Sequence, residues 1–232
     1  IDHFETSFQG SDAIRATLLL KEVPYAVSTH EIISLGGASP ETFPFPDGKT
    51  AKYAAAMPDI GTIFVLTNDG SLLGYTPSNN KFSENTIDLP SGDALAGIDT
   101  FLTYLYALDT AEGTIYRYAR VEGGFGAKTD WMKEKDAIPF GASFAVNESV
   151  ALADGSNIFL LERGAKLPIS FEHPSDTLLF TTVFISENNT IFALDNKSGR
   201  LVEYDGNGAI LHQYSGDLFR DATDFAVDTN TK

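Results

Sequence analysis

The chain has 232 residues, 43% of them hydrophobic, with 17 Phe and 9 Tyr, enough to build one sizeable core. Its 32 acidic residues outnumber 16 basic ones, and the net charge of −16 repels phosphate backbones and anionic lipid headgroups, which excludes nucleic acid and a membrane surface as expected partners. The absence of cysteine excludes disulfides, thiolate nucleophiles and cysteine-based zinc sites, and no apolar run approaches the ~18 residues of a membrane helix.

A short apolar run recurs along the chain: Tyr25–Ser28, Ile63–Leu66, Leu105–Leu108, Val150–Ala153 and Ile191–Leu194. The last residues of these runs lie 38, 42, 45 and 41 positions apart. A period near 40 residues, built of strand-length runs separated by polar turns, is the mark of a propeller blade with loops of variable length. After each run a turn rich in Asn, Asp and Gly leads to a third strand: Glu31–Leu35, Ser71–Tyr75, Thr114–Tyr118, Ile158–Leu161 and Arg200–Tyr204. Before each run lies a candidate first strand: Ala13–Leu20, Ala51–Met57, Ala94–Asp99, Ala142–Asn147 and Leu179–Ser186. Small residues crowd the middle ones (Ala54 to Ala56, Ala94, Ala96, Gly97), as innermost strands converging on an axis require, whereas Ala16–Leu20 and Leu178–Ile185 depart from that rule. Fourth strands are faint and expected at Phe43–Phe45, Phe82–Leu89, Gly124–Trp131, Leu167–Phe171 and Ile210–Tyr214, since an outer edge faces water and carries polar residues. Lys133–Ala137 fits one helical turn. At the ends, Asp2–Phe8 reads as an outer strand and Thr223–Asp228 as an innermost strand without partners.

The expected fold is therefore all-β: a single propeller domain over residues 1–232, with five complete four-stranded repeats of about 40 residues and a partial sixth. A start at Ile1 is also what a piece of a longer chain would show.

The residues of the last repeat carry a family likeness. TIFALDNKSGRLVEYDGNGAILHQYSG, followed by ATDFAVD, resembles an NHL-type repeat, with Asp195 ending one strand, a basic residue at Arg200 and the aromatic Tyr204 closing the next. YLYALDTAEGTIYRYARVEGGFG is a looser match, with Asp109 and Tyr118 in place and Thr114 where the basic residue would be. The chain is similar in this way to the six-bladed propellers that include NHL, YWTD and SMP-30/gluconolactonase-like domains. That likeness implies a six-bladed type of ring, seen here as five blades and a remnant.

Asp69, Asp109, Asp154 and Asp195 stand at or near the turn after the second strand in four successive repeats. Such a ring of carboxylates either binds a cation or basic ligand or stiffens each turn by accepting its own backbone N–H bonds. A second set, Asp99, Asn147, Glu187 and Asp228, ends first strands at the opposite face. The SMP-30 likeness implies that oxygen ligands from several blades would hold a divalent metal there. Gly141-Ala142-Ser143-Phe144-Ala145 lacks the last glycine and the helix of a nucleophile elbow. The four His are scattered, and Trp131 is expected to pack between blades.

The expected function is that of a non-catalytic binding module, part of a larger protein, presenting an acidic loop face to a protein, peptide or glycan. The alternative is a divalent-metal-dependent lactonase, hydrolase or lyase of the SMP-30-like group. No catalytic residue, metal site or cofactor is assigned, and calcium is the ion the surplus carboxylates would suit. By analogy with extracellular modules of this fold, a place outside the cytoplasm is expected.

Overall fold

The computed structural model describes residues 12–90, 94–136, 138, 141–174, 178–186 and 188–228. Each of its five sheets is an antiparallel blade whose strands follow one another in chain order. Blade 1 is β1 (Ile14–Leu20), β2 (Val23–Ser28), β3 (Glu31–Ser34) and β4 (Glu41–Pro44). Blade 2 is β5 (Ala51–Met57), β6 (Thr62–Thr67), β7 (Leu72–Thr76) and β8 (Lys81–Asn85). Blade 3 is β9 (Leu95–Phe101), β10 (Tyr104–Asp109) and β11 (Thr114–Val121), with its outer edge shared by β12 (Gly124–Phe125) and β13 (Thr129–Asp130). Blade 4 is β14 (Ser143–Val146), β15 (Val150–Ala153), β16 (Ile158–Glu162) and β17 (Ala165–Lys166). Blade 5 is β18 (Thr182–Ile185), β19 (Ile191–Asp195), β20 (Arg200–Tyr204) and β21 (Ile210–Ser215). The innermost strands meet in the order β1, β5, β9, β14, β18, which makes the sheets the blades of a propeller.

The second strands hold this ring together. Along β6 every residue is buried, because both faces of the strand lie against a neighbouring blade. Strand alternation divides the side chains: Ile63 and Val65 pack toward Val27 and Ile32 of blade 1, while Phe64 and Leu66 pack toward Leu105 and Ala107 of blade 3. Equivalent apolar layers lie between blades 3 and 4 and between blades 4 and 5. Trp131 packs in the former, edge-on to Tyr106 at 6.1 Å between ring centroids.

Turn chemistry sets the hairpins. Lys21 and Glu22 have φ of 51° and 65°, the pair of left-handed positions that a two-residue connection matching strand twist needs. Arg163 and Gly164, at φ 49° and 79°, do the same in blade 4, and this corrects one expectation. The tight reversal returns the chain at once as β17, so the fourth strand is Ala165–Lys166 rather than Leu167–Phe171. Leu167, Ile169 and Phe171 run on as irregular chain over the core of blades 4 and 5. The helical turn expected at Lys133–Ala137 is a bend over residues 132–134, and Ala137 lies outside the described residues.

Among the described residues the blades number five, not the six that the family likeness implied. Thr223–Asp228 lies beside β1 and β18, where an innermost strand would sit, but it has no ladder partner among the described residues and is a closing segment rather than a blade. It ties blade 5 to blade 1. The Thr182 hydroxyl donates to the Thr223 carbonyl (3.3 Å), and the Asp224 carboxylate accepts from the Thr17 N–H (2.6 Å). The strand expected at Asp2–Phe8 lies outside the described residues.

Tyr75, Tyr118 and Tyr204 hold the same register in third strands, opposite Ile63, Leu105 and Ile191 of the second strands, and are fully buried, a repeated structural role. Their hydroxyls differ, however. Tyr118 donates to the Asp88 carbonyl (3.0 Å) and Tyr75 to Asn80 Oδ1 (3.1 Å), while the Tyr204 hydroxyl finds no partner among the described residues. Losing a made bond costs a buried partner its satisfaction, whereas removing an orphaned hydroxyl costs nothing of that kind. Tyr118→Phe is expected to lose about 1–1.5 kcal/mol in denaturant unfolding, and Tyr204→Phe to stay within about 0.5 kcal/mol of the parent. Equal losses at both positions would refute the distinction.

Candidate functional site

The innermost strands surround a cavity of about 1150 Å³ on the ring axis. Its wall is built from residues of β1, β5, β9, β14 and β18 together with Thr223–Asp228. Small side chains are present where the sequence placed them, at Ala54, Ala56, Ala96, Gly97 and Ala145, and a Cβ on Gly97 would stand 3.2 Å from the Phe144 ring. The bulky residues that broke that rule, Leu18, Leu19 and Phe184, also face the axis.

Of the carboxylates on this wall, Asp99 and Asp224 are each held by backbone N–H groups of a neighbouring blade. Asp99, on β9, accepts from its neighbour's N–H at Thr100 and from the Val146 N–H on β14 of the next blade, both at 2.7 Å. Asp224, on the closing segment, accepts from the N–H of Thr17 and from its hydroxyl (3.2 Å), on β1 of the next blade. Ser143 repeats the device between blades 4 and 5, its Oγ accepting the Val183 N–H at 3.1 Å. An innermost strand has no ladder partner on its axial edge, so its N–H groups need acceptors, and the preceding blade supplies them from side chains. Enclosure by protein strips water from Asp99 and pushes its carboxyl up to about 7; the two N–H donors oppose this, and the charge of Asp224 adds to it. Asp224 is raised for the same leading reason, against the donors of Thr17 and Phe225.

The turn aspartates occupy the other end of the blades. Asp69 Oδ1 accepts from the Thr67 hydroxyl (2.5 Å) and the Ser71 N–H (3.0 Å), and Oδ2 from Lys49 (2.9 Å). The Thr67 hydroxyl and then the Lys49 ammonium hold this carboxyl well below its usual range. Asp109 accepts from the Glu112 N–H (2.9 Å) and Asp154 from the Asn157 N–H (2.9 Å). Asp195 accepts from the N–H groups of Lys197 (3.1 Å) and Ser198 (3.2 Å) and from the Ser198 hydroxyl (2.8 Å). In blade 1 a serine does this work: Ser28 Oγ accepts from the N–H groups of His30 and Glu31, each at 3.2 Å. Asp109 and Asp195 are buried, whereas the Asp69 side chain is 56% exposed and Asp154 is half-buried. None of the four lines the cavity.

Of the strand-end set, Asp99, Asn147 and Asp228 do line it, and Glu187 lies outside the described residues. Asn147 is spent on structure, its amide donating to the Ser186 carbonyl at 2.8 Å. Sequence reading missed Asp224, although an acid inside the apolar run Asp224-Phe225-Ala226-Val227 marks a strand face turned to something polar. Among the described residues, no three His, Asp or Glu side chains gather closely enough to hold a metal ion. No helix among them is long and apolar enough to cross a membrane.

A ring of four-stranded blades around an axial cavity defines a β-propeller, a fold that serves both binding proteins and enzymes. No protein-family model matches the chain, and no curated protein matches it in sequence. Solved structures match it in fold. A nidogen/laminin complex is 14% identical over 89% of this chain and 81% of that one, at a TM-score of 0.67. YCF48 bound to D1 peptide is 13% identical over 93% and 72%, at 0.61. Virginiamycin B lyase from Staphylococcus aureus is 13% identical over 90% and 72%, at 0.59.

Proposed function

We propose that this propeller is a non-catalytic binding module of the NHL and YWTD kind, presenting the acidic face formed by the turns after its second strands to a protein or peptide. The observation that carries the reading is the division of labour among the turn aspartates. Asp109 and Asp195 are buried and brace their turns, while Asp69 and Asp154 brace theirs and keep oxygen open to solvent. Rigid turns holding exposed carboxylates at blade spacing suit a basic partner surface, which would compete with Lys49 for Asp69, and exposed Asp47 adds to the field. Two similar structures, the nidogen/laminin complex and YCF48 with D1 peptide, support a protein or peptide as the partner class. The reading needs no cofactor. An array of short peptides of graded charge tests it. Basic peptides are expected to retain the protein, to release it in high salt, and to bind the double variant Asp69→Asn, Asp154→Asn about threefold to tenfold more weakly. Retention independent of peptide charge would overturn the acidic-face reading.

A second reading is a divalent-metal hydrolase or lyase acting at the axis. It is motivated by the carboxylates of Asp99, Asp224 and Asp228 lining one cavity, where a divalent ion would need further oxygen ligands from substrate or water because no three of them converge among the described residues. Metal-dependent turnover of a lactone panel would favour it and displace the binding-only reading.

A further inference from the structure

The axial cavity is a different place from the turn face, and its chemistry is specific. Neither Asp99 nor Asp224 meets a basic side chain among the described residues; each is held by N–H and hydroxyl donors alone. Two carboxylates enclosed by protein with no cationic partner form a costly arrangement that a bound cation relieves. At the ends and rim of the cavity stand the remaining charged groups, Glu22, Asp59, Glu148 and Asp228 against exposed Arg15 and Lys21, so the whole lining is acidic. The rest of the wall is aromatic or small: Phe144, Phe184 and Phe225, the last two with ring centroids 6.2 Å apart, beside Ala54, Ala56 and Ala96. A cavity of about 1150 Å³ is far larger than a bare metal ion requires. Aromatic faces with carboxylates at the end suit a cation carried on an apolar stem.

We infer that the axial cavity binds an organic cation, the ammonium or guanidinium of a lysine or arginine side chain in a peptide, with its head between Asp99 and Asp224 and its stem along Phe144, Phe184 and Phe225. This site goes beyond the turn-face reading and is independent of it.

Calorimetry on the intact protein tests the site, with the capped tripeptide Gly-Lys-Gly as probe and its Nε-acetyl-lysine counterpart as control. The lysine peptide is expected to bind and the acetylated one to bind at least about tenfold more weakly, because only the first carries the charge. Asp224→Asn is expected to weaken the lysine peptide about tenfold. Since Asp224 also holds blade 1, Phe225→Leu supplies a second variant that keeps both carboxylates and removes an aromatic wall; about a threefold loss is expected there. The loss caused by Asp224→Asn is expected to be the same in the Asp69→Asn, Asp154→Asn background as in the parent, which separates the cavity from the turn face. Equal binding of the two peptides, or heat from calcium chloride but not from the lysine peptide, would overturn the proposal.

Discussion

Gly124→Ala lowers the melting temperature by about 10 °C. Gly124 begins the short outer strand β12, which lies against Thr86 of blade 2. A Cβ there would stand 2.1 Å from the Thr86 carbonyl oxygen and 2.5 Å from its nitrogen. Backbone cannot rotate away as a side chain can, so the two blades must part. Parting breaks the Phe125 N–H to Thr86 O bond (2.7 Å) and the Thr86 N–H to Gly123 O bond (3.1 Å). It also lifts Phe125 off Phe64, whose ring it meets edge-on at 5.1 Å. Two buried bonds and one aromatic contact together cost about 3–5 kcal/mol. Gly126→Ala is the control. Its Cβ would meet nothing closer than 3.6 Å, and its φ is not positive, so a loss below about 1 kcal/mol is expected. Calorimetric melting of both variants decides the matter: a Gly124→Ala protein melting within two or three degrees of the parent means the seam is not rigid.

The second large effect belongs to Asp99 and depends on pH. Its carboxyl goes from an ordinary 3.8 to about 7 in the folded protein, chiefly through desolvation. A raised acid binds its proton more tightly when folded. Its stabilising contribution is therefore complete below about pH 4 and is lost as pH rises toward 7. Three units correspond to about 4 kcal/mol, and about 2 kcal/mol remains once water in the cavity is allowed for. Asp99→Asn cannot ionise, and its amide oxygen still accepts a backbone N–H. The variant is expected to match the parent near pH 4 and to exceed it by about 2 kcal/mol at pH 8. Chemical denaturation across that range measures the difference directly; parallel pH profiles for the two proteins would show that Asp99 is an ordinary solvated carboxylate. The raised Asp224 acts in the same direction, so the double variant should be flatter still.

How far the residues announced this architecture differs from one part to another. All five second strands and all five third strands stand where the repeat put them, because each is a short apolar run with a turn residue at its end. Outer strands were harder to see. Ala165–Lys166 has no apolar signal, and the Arg163-Gly164 reversal that defines it works through backbone angles that no pattern of hydrophobicity reveals. The turn aspartates were plain in the sequence because they recur with the period. Asp224 was not, since it occurs once, in a segment that belongs to no complete repeat.

Local chemistry along the chain determined the blade: alternating apolar residues, turn formers at the reversals, and small residues near the axis all act over a few positions. Only the tertiary structure decided how many blades the ring contains and what faces its centre. Closure brings Asp224 beside Thr17 across 207 positions of chain, and enclosure there, rather than residue type, raises the carboxyls of Asp99 and Asp224 above their ordinary range. Desolvation is a property of surroundings, and surroundings exist only once the ring is closed.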